Sequence, residues 1–371
     1  MPAKTVPAEP VPAEPVPAET VGSALVAPAL DRLMEALVLP SFSRLGYQWR
    51  SVLYRWGEPP VLTGKVVVVT GSSSGIGLAA AQGLARLGAA VHMICRDLDK
   101  AAQAAVEVEA AGRSGDRGGA FAGLGLADMG EPEQVSEVAS QVLSQHSRVD
   151  AVVHAAGSLL RTYRTNSRGT EATAAVQLLG PYVLTVGLLP GLVAASGRVV
   201  LVSSGGMYTQ PFDLASLELG PGAYKGAVAY ARAKRAQVVL AHAWRRRLAG
   251  PGISAYAMHP GWVRTPGLAQ GMPGFYRLMK PLLRSGVQGA DTAVWLAAGG
   301  ALDGAELAPS RSASRPAPPA RPASGTGGSA FFHDRAPRPE SRLWARAPVS
   351  LPDEEALMDW CARRSGVRSE L

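Results

Sequence analysis

Tyr230 and Lys234, in the run Tyr-Ala-Arg-Ala-Lys, are four residues apart. On a helix that spacing puts both side chains on one face, one turn apart. A free phenol titrates near pH ~10, and a neighbouring ammonium favours its phenolate. Such a pair can exchange a proton with an alcohol or carbonyl oxygen. The same spacing also occurs on solvated helix faces, so the pair needs partners, and other stretches offer them. Thr70-Gly71-Ser72-Ser73-Ser74-Gly75-Ile76-Gly77 follows a β-branched run and opens a helical pattern. Glycines there let the backbone approach a pyrophosphate, and the helix N-terminus offers N–H groups and a positive dipole end. The spacing is Gly-x-x-x-Gly-x-Gly, and the plain alternative is a flexible turn. Val202-Ser203-Ser204-Gly205 leaves another strand, where a hydroxyl can meet a substrate carbonyl or merely make a turn. In His259-Pro260-Gly261-Trp262-Val263-Arg264-Thr265, Pro-Gly aims the chain across a cleft and Thr265 can bond a carboxamide.

The residue after the second strand reaches an adenosine ribose in folds of this kind. An acid there bonds the 2′-hydroxyl of NAD, whereas an Arg pairs with the 2′-phosphate of NADP. The chain has Arg96 followed by Asp97, which favours NADP over NAD; the plain alternative is a surface Arg at a helix start.

These positions require a particular scaffold. Val66–Thr70 is a continuous β-branched run, as in a strand buried on both faces. Strands at 91–95, near 120–124, 149–154, 198–203 and 254–259 alternate with helical stretches at about 76–87, 98–111, 131–145, 170–194, 230–249 and 286–298. Pro190 is expected to bend or end its helix. This alternation predicts an α/β fold, a Rossmann-type doubly wound parallel sheet with helices on both faces and ligand at the carboxyl ends of the strands. A last strand at 330–333 and a short helix at 353–364 follow.

The flanks differ. Residues 1–22 carry a Val-Pro-Ala-Glu repeat and read as a disordered tail. Residues 23–60 read as an amphipathic helical extension, with a first helix over 29–39 ended by Pro40. In a second stretch Phe42, Leu45, Trp49, Val52, Leu53 and Trp56 share a side, with Arg44, Arg50 and Arg55 between them. That pattern fits either a peripheral membrane contact through 41–56 or a helix packed on the main domain. The Rossmann-type domain is expected to span 61–345 with a disordered Ala/Pro/Ser/Arg/Gly-rich insert at 305–329, and 346–371 to form a C-terminal tail.

The chain has 371 residues, 47% of them hydrophobic, and a formal charge of +8. No run alternates basic and aromatic residues as a nucleic-acid groove does, and a phosphate-bearing cofactor or a membrane surface explains the charge equally well. Two cysteines, Cys95 and Cys361, allow no metal spacing and no disulfide framework. The first apolar run is interrupted by Pro and no stretch reaches ~18 apolar residues. An intracellular, cytoplasmic or membrane-peripheral protein is expected, not a secreted one.

In their order and register these motifs resemble the short-chain dehydrogenase/reductase superfamily over about residues 64–300. Arg96-Asp97 and the long gap between Ser204 and Tyr230 resemble its NADP-linked, retinol-dehydrogenase-like branch. The resemblance implies that Tyr230 is the acid/base, Lys234 its charge partner and a ribose ligand, and Ser204 the holder of the substrate oxygen. It implies that Gly71, Ser73, Gly75, Ile76 and Gly77 line the phosphates and that Arg96 meets the 2′-phosphate. Ala155 and Gly157 run close to the cofactor, with Pro260, Gly261 and Thr265 at its nicotinamide. Gln177 falls where an Asn usually completes a water relay to the Lys, and Gly125 where an acid usually meets the adenine, with Asp128 three residues on. His154-Ala155-Ala156-Gly157 replaces the usual Asn-Asn-Ala-Gly, and His154 reads as structural. Helices at about 170–194 and 230–249 form a homodimer face in many members. Leu268, Met272, Phe275, Tyr276, Leu278 and Met279 suggest an apolar lid over a lipophilic carbonyl or alcohol. The alternative is an NADP(H)-binding scaffold or sensor without turnover.

Overall fold

The computed structural model describes residues 30, 31, 33–301, 329–341 and 349–368. The N-terminal repeat and nearly all of the 305–329 insert lie outside the described residues. The strands are β1 (Val66–Thr70), β2 (Ala90–Cys95), β3 (Ala120–Leu126), β4 (Ala151–His154), β5 (Arg198–Val202), β6 (Ser254–His259), β7 (Phe331–His333) and β8 (Ala336–Pro337). They form one sheet in the order β3-β2-β1-β4-β5-β6-β7-β8, parallel except for β8, which turns back on β7. The order reverses direction between β1 and β4, which opens a crevice at their carboxyl ends.

Alternate side chains of each strand feed two separate cores. Val67, Val69, Met93, Val153 and Val200 pack under α3 (Gly75–Arg86), α4 (Leu98–Ser114) and α11 (Gly286–Ala297). Val68, Ile94, Val152, Val199 and Leu201 pack under α5 (Pro132–Gln145), α6 (Ala172–Gly187), α7 (Leu189–Ala195) and α8 (Gly226–Arg247). Both faces are therefore covered, as the unbroken valine run of β1 requires. Pro190 opens α7, which leaves α6 at 63°. No single helix among the described residues is long and apolar enough to cross a membrane.

The N-terminal extension departs from its expected form. The chain is helical over 33–36, extended at Leu37, and helical again in α1 (Val38–Phe42), with Pro40 inside that short helix. Pro40 is tolerated because first-turn N–H groups have no helical acceptor. In α2 (Arg44–Leu53) the buried side holds Gly46 and Arg50, while Leu45, Trp49 and Val52 face outward. Of the expected stripe, Phe42 packs into the domain core, but the part on α2 does not point at the domain, because Arg50 is matched there by three carboxylates: Asp31 at 2.7 Å, Glu35 at 2.6 Å and Asp334 at 2.7 Å. At the other end, α12 (Leu351–Ser365) is more than a tail: Leu357, Met358 and Cys361 join the core against α8.

Candidate active site

β1 ends at Thr70, and its hydroxyl accepts hydrogen bonds from the Ala155 and Ala156 N–H groups, both at 3.1 Å. That joins the nucleotide loop to the segment leaving β4. Gly71 has φ +65°, and a Cβ there would sit 2.7 Å from the Ala156 Cα, so only glycine fits. A Cβ on Gly77 would strike the Gly71 carbonyl. No side chain caps the first turn of α3 and no acid stands in it, so its N–H groups and dipole end suit a phosphate. Ser72 Oγ lies 3.3 Å from the Cys95 thiol, whose pKa burial pushes up. Thr265 caps α9 (Pro266–Gly271), accepting from the Leu268 N–H at 3.2 Å, and lies 3.4 Å from where a Gly75 Cβ would stand. The loop and Thr265 therefore face each other across the crevice.

Ser204, Tyr230 and Lys234 meet on the β5 side of the same crevice. The Ser204 hydroxyl stands near the Tyr230 phenol and favours its phenolate, but burial outweighs that and raises the phenol's pKa. The Lys234 Nζ stands 5.5 Å from the Tyr230 ring centroid. Burial lowers its pKa to about 7, and no carboxylate acts on it. It donates to the Val202 carbonyl at 2.7 Å and to Gln237 Oε1 at 3.0 Å. Ser203 steadies this arrangement by donating to the Lys234 carbonyl at 2.8 Å. A Cβ on Gly157 would lie 3.5 Å from Nζ and 3.5 Å from Gln177 Cδ, so this glycine leaves room for a ligand beside the amine. The tight backbone packing that Gly71 and Gly77 permit, the room beside Gly157 and the uncapped start of α3 fit a dinucleotide running from β1 to β5.

Gln177 lies in a π-helical turn, Ala175–Leu179, inside α6. Pro181 has no N–H to donate four residues back to the Gln177 carbonyl. Gln237 Nε2 donates to that carbonyl instead, at 2.9 Å. The Gln177 side chain donates to the Ser158 carbonyl at 3.3 Å, and its Oε1 is buried without a partner among the described residues. Thr70 and Ser203 stand in the motifs read from the sequence but had no role assigned there, and Gln237 was not named. Gln237 alone had a local signal, one helical turn beyond Lys234.

Arg96 follows β2 as expected and is largely exposed, 3.5 Å from Asp128. A Cβ on Gly125 would collide with Val138, so no acid fits there. His154 Nε2 lies 3.0 Å from Thr185 Oγ1, and burial lowers its pKa to about 3, in keeping with a structural role. Gly261 N–H donates to His259 Nδ1 at 3.1 Å, and Arg284 supports Pro260 through its carbonyl at 3.3 Å. Phe42 of α1 lies 4.2 Å from the His259 ring and 5.8 Å from Trp262. Trp262 in turn meets Phe275 of α10 (Pro273–Met279) at 5.2 Å. Of the expected lid residues, Met279 is buried, Leu268, Phe275 and Tyr276 are half-buried, and Met272 and Leu278 are exposed. Among the described residues no group of three or more His, Cys, Asp or Glu side chains could hold a metal.

Residues 65–272 match the family model for short chain dehydrogenase. The chain is 35% identical to dehydrogenase/reductase SDR family member 12 of Bos taurus over 323 residues, 86% of this chain and 93% of the relative. It is 33% identical to retinol dehydrogenase 12 of Bos taurus, over 63% of this chain and 73% of the relative. Among solved structures, an uncharacterized protein from Mycobacterium paratuberculosis superposes with a TM-score of 0.61 at 24% identity, over 85% of this chain and 98% of that one. A candidate NAD(P)-dependent gluconate 5-dehydrogenase from Beutenbergia cavernae, with NADP bound at low occupancy, gives a TM-score of 0.53 at 28% identity, over 66% and 94%. With the nucleotide loop, the Ser-Tyr-Lys cluster and the sheet order in agreement, the chain belongs to the short-chain dehydrogenase/reductase family, oxidoreductases built on a nucleotide-binding Rossmann-type fold.

Proposed function

We propose that this chain is an NADP(H)-dependent oxidoreductase that interconverts a carbonyl and an alcohol on an apolar small molecule. The observation that carries the reading is the meeting of Ser204, Tyr230 and Lys234 beside Gly157, facing the uncapped start of α3. The nicotinamide, when bound, gives or takes the hydride. In the reduction direction Tyr230 passes its proton to the developing alkoxide oxygen, and Ser204 holds that oxygen by a hydrogen bond. Lys234, as an ammonium, lowers the cost of the phenolate left behind and reaches the ribose side of the cleft. Gly71, Ser73, Gly75, Ile76 and Gly77 give backbone room and donors to the phosphates. Ala155, Gly157, Pro260, Gly261 and Thr265 form the wall for the nicotinamide half.

Support for NADP over NAD is Arg96, which is largely exposed and makes a loose pair with Asp128 that a 2′-phosphate can replace. The Beutenbergia cavernae relative with bound NADP points the same way. Support for an apolar substrate is the Phe42–Trp262–Phe275 wall and the seat of α9 against Leu159, with a retinol dehydrogenase among the relatives. Exposure of Leu45, Trp49 and Val52 beside Arg44 on α2 supports a peripheral membrane contact, checked by flotation with liposomes. Two buried free thiols accord with an intracellular site.

The test is NADPH oxidation with a panel of aldehydes and ketones. Tyr230→Phe is expected to lower turnover by roughly 10²–10⁴-fold while NADPH binding, followed by fluorescence, stays near the parent's. Tight NADPH binding with no turnover on any carbonyl would favour a nucleotide-binding scaffold instead. Full turnover by Tyr230→Phe would remove Tyr230 from the chemistry.

A further inference from the structure

We propose that Gln237 is a positioning residue for the Tyr230–Lys234 pair, its side-chain amide tying the Lys234 amine to the main-chain carbonyl of Gln177. The inference rests on Lys234 being the charge partner of Tyr230. All three groups are buried: Lys234 is 5% exposed and Gln177 and Gln237 are 0%. Gln237 Oε1 accepts from Nζ at 3.0 Å, and Gln237 Nε2 donates to the Gln177 carbonyl at 2.9 Å. The amide orientation is forced by chemistry. A carbonyl accepts only, so Nε2 must face Gln177, and the amine then necessarily meets Oε1.

Three features of the sequence make the bridge. Pro181 cannot donate to the carbonyl at 177, which is left to find another donor. The π-helical turn shifts that carbonyl from the regular ladder. Gln237 follows Lys234 by three residues, so both rise from one face of α8. An amide side chain accepts and donates hydrogen bonds yet has no proton to pass on near neutral pH. Gln237 therefore holds Lys234 rather than supplying it. With the Val202 carbonyl at 2.7 Å as the second acceptor, two of the three ammonium donors are fixed, and one is left for a ligand on the Gly157 side.

The groups facing Nζ are the Tyr230 phenol on α8, the Val202 carbonyl at the end of β5, the Gln237 amide, and Gly157 beyond β4; no other titratable side chain acts on it. Removing the Oε1 acceptor disfavours the ammonium, and replacing it with a carboxylate favours it.

The test follows the pH dependence of acetic-anhydride labelling at Lys234, read by mass spectrometry on the full chain. It needs no turnover. Gln237→Met, of similar length and apolar, is expected to move the Lys234 midpoint down by about one unit, and Gln237→Glu to move it up by a comparable amount. The alkaline limb of the pH–rate profile for NADPH-dependent reduction should move with the labelling midpoint in each variant. If both folded variants label as the parent does, Gln237 is only packing and the proposal falls. Should Gln237→Met fail to fold, Gln237→Glu decides alone, because it keeps length and shape. Failure of the wider reading looks different: Tyr230→Phe would turn over normally whatever Lys234 does.

Discussion

Burial sets the charge of Lys234 before any ligand arrives. Its amine is lowered to about 7, while the Tyr230 phenol is raised by the same loss of water. Below about pH 7 the free protein carries the ammonium that eases phenolate formation, and above it that charge is lost. Because kcat/KM reports groups of the free enzyme, kcat/KM for carbonyl reduction is expected to fall as pH rises through about 7. Initial rates between pH 5.5 and 9 check this, and a flat profile to pH 9 would contradict it. Tyr230, Lys234 and Ser204 were legible in the sequence because the first two share a helix and the third ends a strand. Thr70 and Ser203 were not, because each bonds a segment that the fold brings near, the Ala155 and Ala156 N–H groups and the Lys234 carbonyl. Gln237 stands one turn beyond Lys234, but its second partner, the Gln177 carbonyl, comes from another helix, and nothing in the chain around Gln237 shows that.

At the scale of elements, the buried charges at the ends of β6 and β7 decide how the N-terminal extension sits. Arg284 donates to Asp334 at 2.5 and 2.9 Å and to the Ser41 and Ser43 carbonyls at 2.9 and 3.1 Å. Arg50 joins Asp334 to Asp31 and Glu35, and Arg338 adds a second pair to Asp31 at 2.8 Å. Breaking one member leaves unmatched charge out of water, which costs about 3–5 kcal/mol. Arg50→Ala is therefore expected to lower stability by that amount in urea unfolding and to expose the 33–56 segment to protease. A loss under 1 kcal/mol would mean the extension is only loosely held. The network is also acid-sensitive. Burial lowers the His333 pKa from 6.5 to about 4, with Arg284 and Arg50 adding to this against Asp334. A histidine depressed in the fold binds its proton more readily when unfolded. Its contribution is intact above about pH 6.5 and is lost as pH falls toward about 4. Asp334 works in the same direction: burial alone would raise its pKa, but Arg284, His333 and Arg50 hold it well below the usual carboxylate range. The melting temperature is expected to drop between pH 6.5 and 4.5, less steeply in His333→Gln if that variant folds; an unchanged slope would remove His333 as the cause. The helical period of α2 was readable, but its inward face was not. A hydrophobic pattern names an apolar stripe, and here three distant carboxylates draw the arginine side inward.

For the whole molecule, α12 decides what α6 and α8 can do. Those two helices are the surface on which a second copy sits in many members of the family. Here Leu357, Met358, Trp360 and Cys361 cover them, all buried in the core beside Trp244 and Tyr182. Tyr182 stacks on Trp244 at 5.6 Å and donates to the Val367 carbonyl at 3.2 Å. Ion pairs rim the contact: Arg246 to Glu354 at 3.0 Å, Arg246 and Arg247 to Glu355, and Arg364 to Glu218 at 2.5 Å. A helix over 353–364 was expected from the sequence, but its partner was not, since the chain between β8 and α12 has no period that fixes where the helix lands. A face already filled by the chain's own helix cannot be self-complementary to a second copy without displacing it. The protein is therefore expected to run as a monomer of 38.5 kDa in light scattering coupled to size exclusion. Removal of residues from 349 onward uncovers Trp244 and its neighbours, and should convert the monomer to dimers or aggregates with a large rise in dye binding to apolar surface. A parent chain that elutes as a dimer with α12 intact would show that the second copy docks elsewhere, or that α12 gives way to it.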